Sequence, residues 1–153
     1  MHMSLRTIML RAERPIALLE LLQPVLLLAI RLYIGWVFMR SGLSKLDDWG
    51  ATLALFRDEY QVPFLPPQMA AIMGAAGELL LAPLLVVGFA GRFAALGLFF
   101  VNAVAVLSYP ALFRFDCPAA VQSHFFWGAL IMTTALFGPG VFSVDAWLKR
   151  SLK

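Results

Sequence analysis

The sequence predicts an all-α membrane protein: a bundle of four transmembrane helices with short interfacial helices, and both termini cytoplasmic. Three observations predict it. The 153 residues are 61% hydrophobic and only 14% charged, where globular domains carry about a quarter charged residues. The mean hydropathy is +0.83, which implies more apolar surface than a soluble core of this size can hide. The apolar residues also gather in four runs near the roughly 20-residue length that a helix needs to cross a bilayer.

The first run covers about residues 24–43. Before it, residues 1–23 carry Arg6, Arg11 and Arg14 among Leu, Ile and Glu, and read as a basic amphipathic lead-in lying in the interface. No small-residue cleavage site stands out there, so a cleaved signal is not expected. The second run covers about 68–88 and the third about 93–113. Only Gly91-Arg92 and their neighbours join these two, which predicts antiparallel neighbours. The fourth, about 123–137, is short for a span and has room to begin earlier. Residues 24–148 thus form the transmembrane domain and 149–153 a basic cytoplasmic tail.

Orientation follows from Lys and Arg in the flanks. One side holds Arg6, Arg11, Arg14, Arg92, Lys149, Arg150 and Lys153; the other holds Lys45, Arg57 and Arg114, with Arg40 near the boundary. The richer side, which carries both termini, is the cytoplasmic one. In the outer loop, DDWGATLALFRDEY sets Trp49, Leu53, Phe56 and Tyr60 at spacings of four, three and four, an apolar helical stripe. Asp48 is its candidate N-cap and VPFLPP its stop. A short helix over 48–60 is expected to cover the outer mouth of the bundle. The tail GPGVFSVDAWLKR predicts a similar interfacial helix on the other side.

Charge inside a span needs a reason. Arg31 stands in LAIRLYIG, Glu78 in the second run and Asn102 in the third. Arg31 lies roughly 10 Å in from Pro24, and Glu78 roughly 15 Å in from Gly88, at about 1.5 Å per residue. The two depths are compatible, so Arg31 and Glu78 are expected to pair inside the bundle, with Asn102 nearby. Such a pair is either a structural clasp or a polar site for a quinone headgroup, a proton or a small polar ligand. Gly35, Gly42, Gly74, Gly88 and Gly128 recur on the same helical faces and are read as helix-packing positions.

A second polar group gathers at the outer end: Arg40, Lys45, Tyr109, Asp116, Cys117 and His124. Lys45 and His124 join Arg31, Glu78 and Asn102 as ligand-binding candidates, though a histidine at an interface also serves as an anchor. The one cysteine excludes an internal disulfide and a cysteine-rich metal site. Two histidines, His2 and His124, argue against a bis-histidine haem. No Cys-x-x-Cys, dinucleotide loop or nucleophile elbow is present, and no basic aromatic patch suggests nucleic acid. No metal and no intrinsic cofactor are expected.

RLYIGWVFMRSGLSKL resembles the first-span signature of the DoxX family of small bacterial membrane proteins. GAAGELLLAPLLVVGFAGRFAAL is similar to that family's second span, and HFFWGALIMTTALFGPGVFSVDAW to its closing segment. Taken together, the matches run over about 28–148. The resemblance carries Arg31, Gly35, Gly42 and Lys45; Glu78, Gly88 and Arg92; and His124, Gly138, Gly140, Ser143 and Asp145. It implies a four-helix protein of the bacterial inner membrane. Related subunits are linked to thiosulfate:quinone oxidoreduction, others to redox-defence complexes with soluble partners.

The expected function is therefore a membrane subunit of a quinone-linked redox system, non-autonomous because no cofactor motif is its own. The alternative is a non-catalytic anchor or assembly module for partner proteins or a small hydrophobic ligand. A transporter is disfavoured, since four spans show no inverted repeat. The expected partners are the lipid bilayer and either a second protein or further copies of this chain.

Overall fold

The computed structural model describes the backbone of residues 5–113 and 118–153 and the side chains of 17–113 and 118–153. Cys117, Asp116 and Arg114 lie outside the described residues, as do the side chains of Arg6, Arg11 and Arg14.

Helix α1 (Leu5–Asp47) is 43 residues long, roughly 65 Å, about twice the hydrocarbon thickness of a bilayer. A helix starting near Pro24 was expected; instead the lead-in and the first span are one helix. The reason is local: IALLELLQ, residues 16–23, consists mostly of strong helix formers, and they carry the helix through Pro24. Asp47 ends α1. Asp48 then caps α2 (Trp49–Asp58), its carboxylate accepting the Ala51 N–H at 2.9 Å. Trp49, Leu53, Phe56 and Tyr60 turn onto Ala70 and Ala71 of α3 (Pro67–Val87), so the predicted stripe is the face that packs.

The turn after α3 leads into α4 (Gly91–Ser108). This span stops short of the expected 113, because Pro110 cannot donate and disfavours helical geometry at Tyr109. Residues Pro110–Phe113 form a single 3-10 turn. Helix α5 (Pro118–Phe137) begins five residues before the expected start at 123, which gives it 20 residues. Helix α6 (Val144–Ser151) follows, capped by the Ser143 hydroxyl, which accepts from the Ala146 N–H at 3.2 Å.

Among the described residues, four helices, α1 from Ala17 onward with α3, α4 and α5, are long and apolar enough to cross a membrane. They close a ring: α1 packs on α3, α3 on α4, α4 on α5 and α5 back on α1. Ile34, Ala82, Leu85, Ala95, Leu98 and Ile131 fill its axis. Large apolar side chains such as Leu80, Phe93, Phe100, Leu107 and Leu136 point outward. In water such a belt is a liability; against lipid chains it needs no cover.

Close approach explains two of the glycines. A Cβ on Gly35 would collide with Val86, and one on Gly42 would lie 2.7 Å from Leu79 Cγ, so α1 and α3 touch nearly backbone to backbone. A Cβ on Gly128 would lie 3.4 Å from Asn102 Nδ2. Gly88 is conformational: its φ of 69° is left-handed and ends α3. Gly74 is not at a close helix contact, because a Cβ there would meet only the Phe56 ring at 3.5 Å, an ordinary van der Waals distance.

Candidate functional site

Arg31 does not pair with Glu78. Arg31 is 1% exposed, and its guanidinium spreads over backbone carbonyls. Its Nε donates to Leu85 O at 3.0 Å, Nη2 to Val86 O at 2.6 Å, and Nη1 to Phe142 O at 2.9 Å and to Pro139 O. Leu85 and Val86 are in the last turn of α3, whose carbonyls have no partner within the helix. Arg31 is thus a cation on the negative end of α3. The depth estimate misplaced it because α1 does not start at Pro24. Arg31 is level with Gly88, where an added Cβ would lie 3.1 Å from its Nη2. Glu78, seven residues before Leu85, is then roughly 10 Å away along the axis.

Two further charges do the same work at this end. Arg92 Nη1 donates to Ala135 O at 3.0 Å and Leu136 O at 2.8 Å, closing the end of α5. The Asp145 carboxylate accepts from Ala90 N–H and Gly91 N–H, both at 2.8 Å, and so caps the start of α4. Ala90 has a left-handed φ of 47°, a conformation that costs a non-glycine residue about 1 kcal/mol or more; the bond to Asp145 holds it there. Arg31, Arg92 and Asp145 are fastenings of the frame.

The partner of Glu78 is Lys45. Lys45 Nζ donates to Glu78 Oε2 at 2.7 Å and Oε1 at 2.9 Å. Ser41, one turn before Lys45, receives a bond from Nζ at 2.9 Å and donates to Oε1 at 3.2 Å. The side chains are 18% and 9% exposed, so the pair is largely dry but reachable. Gly42 makes it possible: with no Cβ there, α1 lies against α3 at the Glu78 Cβ. Ser41 was not singled out from the sequence. The signal was available in its i, i+4 spacing from Lys45.

Asn102 and His124 form a second unit beside the pair. Asn102 Nδ2 donates to the His124 carbonyl at 3.0 Å, which fixes the amide orientation. Its Oδ1 therefore faces His124 Nδ1 at 2.8 Å and must accept. Nδ1 carries the proton, and in the neutral ring Nε2 is left as the acceptor. The ring stands edge-on to Trp127 at 5.0 Å.

A cavity of about 380 Å³ joins the two units; Lys45, Glu78, Ser41, Asn102 and His124 line it, with Arg40 and Trp127 at its sides. Of the sequence candidates, four (Lys45, Glu78, Asn102 and His124) come together here, while Arg31 stands apart. Tyr60 of the post-α2 segment also faces this cavity. Its ring lies in a stack, on Phe56 at 4.6 Å and Tyr109 at 4.8 Å. Burial, and next the Glu78 carboxylate, push the Tyr60 phenol up to about 12, so it stays protonated at physiological pH. Tyr109 donates to the Glu59 carboxylate at 2.6 Å. Among the described residues, no three His, Cys, Asp or Glu side chains gather as metal ligands.

The arrangement offers an ammonium, a carboxylate, hydroxyls and an imidazole at one end of an otherwise apolar bundle. It can hold an uncharged polar ring and exchange protons with it. Comparison with known proteins returned a match to the DoxX family model over residues 26–111, more than half of the chain. No curated protein and no solved structure matches.

Proposed function

The chain belongs to the DoxX family of multi-pass membrane proteins, and from that premise we propose that it is the quinone-binding subunit of a redox system in the bacterial inner membrane. The observation that carries this reading is the Lys45–Glu78 pair, set into a cavity wall within the bundle. An ion pair kept only as a clasp gains nothing from a cavity at its side. A quinone oxygen is an acceptor without charge; the three donors of the Lys45 ammonium go to Glu78 and Ser41, and a quinone oxygen takes the place of Ser41 on one of them. Reduction of a quinone takes up two electrons and two protons. The chain's part is to bind the ring and to move protons through Glu78, His124 and Ser41. The electrons come from a separate partner protein in this reading.

The test uses the full chain in lipid nanodiscs and a benzoquinone bearing a decyl chain, with calorimetric titration. Saturable one-to-one binding is expected, and its loss in the Lys45→Met, Glu78→Gln double variant. Absence of saturable binding to the unaltered chain overturns the reading and favours the anchor or assembly role.

Both termini are cytoplasmic in this reading, which puts the α6 end inside and the α2 end, with the Lys45–Glu78 site, toward the outer face. Reporter fusions after Lys153 and within the α2 segment near Glu59 are expected to label opposite sides, the first cytoplasmic. Labelling on one side, or the reverse assignment, refutes it.

A further inference from the structure

The Lys45–Glu78 pair has a second space on its other side. It measures about 520 Å³ and lies between α3, α4 and residues 62–65. Lys45, Tyr60, Glu78, Val101 and Ala105 line both spaces, so the two lobes share the wall these residues form. The walls of the second lobe are apolar, with Met73, Phe100, Val104 and Leu107 prominent. Phe100 and Leu107 are themselves exposed on the belt that faces lipid.

One group does not fit an apolar wall. Ser108 is 1% exposed, and its hydroxyl has no hydrogen-bond partner among the described residues. Its carbonyl is held by the Gln61 N–H at 2.7 Å, so the backbone is fixed. Other hydroxyls in the spans bond the carbonyl one turn back: Ser123 to Ala119, Thr133 to Ala129, Thr134 to Leu130. Ser108 does not. A buried hydroxyl left unpaired is disfavoured, and its presence calls for an account. Ser108 lines the second lobe.

We infer that the apolar lobe is the ring-and-chain half of the ligand site, and that Ser108 donates a hydrogen bond to the second ring oxygen of a para-quinone. This rests on the quinone reading above. A hydrocarbon chain alone offers Ser108 no acceptor; a para-quinone has two oxygens on opposite edges. A ring in this lobe presents its near oxygen to Lys45 at the junction and its far oxygen to Ser108. Its chain leaves over Met73, Phe100 and Leu107 to the bilayer. The lobe with Asn102 and His124 is then free for water and protons.

The experiment places decyl-benzoquinone, labelled with carbon-13 at either carbonyl, on the nanodisc-embedded chain and records infrared difference spectra. Two carbonyl bands shifted down from the free value are expected. In Ser108→Ala one band returns toward the free position, the other stays, and affinity falls about three- to tenfold. Ser108→Thr keeps the hydroxyl and both shifts. Gly74→Leu is expected to fill the lobe and weaken binding at least about tenfold. A Cβ there meets only Phe56 Cζ at 3.5 Å, an ordinary contact, and an unchanged melting temperature of the variant checks that the fold is kept. If the unaltered chain binds and Ser108→Ala changes neither spectrum nor affinity, the inference is overturned and the quinone reading stands. If the unaltered chain does not bind, both fall.

Discussion

Arg31→Ala is expected to destabilise the protein by about 3–5 kcal/mol. Truncation strands the carbonyls of Val86, Pro139 and Phe142 and leaves that of Leu85 only the Gly88 N–H; each loses a bond to a charged donor worth roughly 1.5–3 kcal/mol singly and less in sum. At about 2–4 °C per kcal/mol for a chain of this size, thermal unfolding in detergent should come roughly 6–20 °C earlier. Arg31→Lys should fall between, because an ammonium has three donors and no planar fork to spread over four carbonyls. The decisive arm is a cycle with Glu78→Gln. Arg31 and Glu78 share no partner, so their effects should add within about 0.5 kcal/mol. Coupling well above that would restore a direct pair between them.

Lys45→Ala and Glu78→Ala should each cost about 2–4 kcal/mol, since either leaves a mostly buried charge bare, with some of the penalty relieved by the residual exposure of the pair. These two should couple strongly. Lys45→Met combined with Glu78→Gln should recover much of the lost stability in the same melting assay, because no unpaired charge remains. If the single variants prove additive, the ion pair contributes nothing to the fold. A recovered double variant that still binds quinone would show the pair to be a clasp alone.

The four spans were legible because a bilayer imposes a length and a composition, and those are linear in the chain. The surface helix α2 was legible for a similar reason: Trp49, Leu53, Phe56 and Tyr60 are close in sequence, and their spacing reports one face. Four of the five ligand-site candidates also share one cavity. The pairing was not legible. Depth counted from assumed helix ends put Arg31 opposite Glu78, yet α1 has no end at Pro24 to count from. The true partners of Arg31 are main-chain oxygens, which every residue has and no side-chain pattern advertises. Ser108 was passed over for the opposite reason. A serine near a span end is ordinary until its neighbours are known and its hydroxyl is seen to lack a partner.

The clamp at Arg31 has a consequence for how the chain is made. Arg31 enters the membrane early in synthesis, but the Pro139 and Phe142 oxygens lie 108 and 111 residues further on. Asp145, which secures the turn between α3 and α4, arrives later still. Until then the guanidinium has only the end of α3 to hold, and the ring of helices lacks its last tie. Completion of the fold therefore waits on residues 139–145 to leave the ribosome. A chain released short of residue 139 would keep all four spans yet carry an arginine with half its bonds missing, a mark by which unfinished copies differ from finished ones.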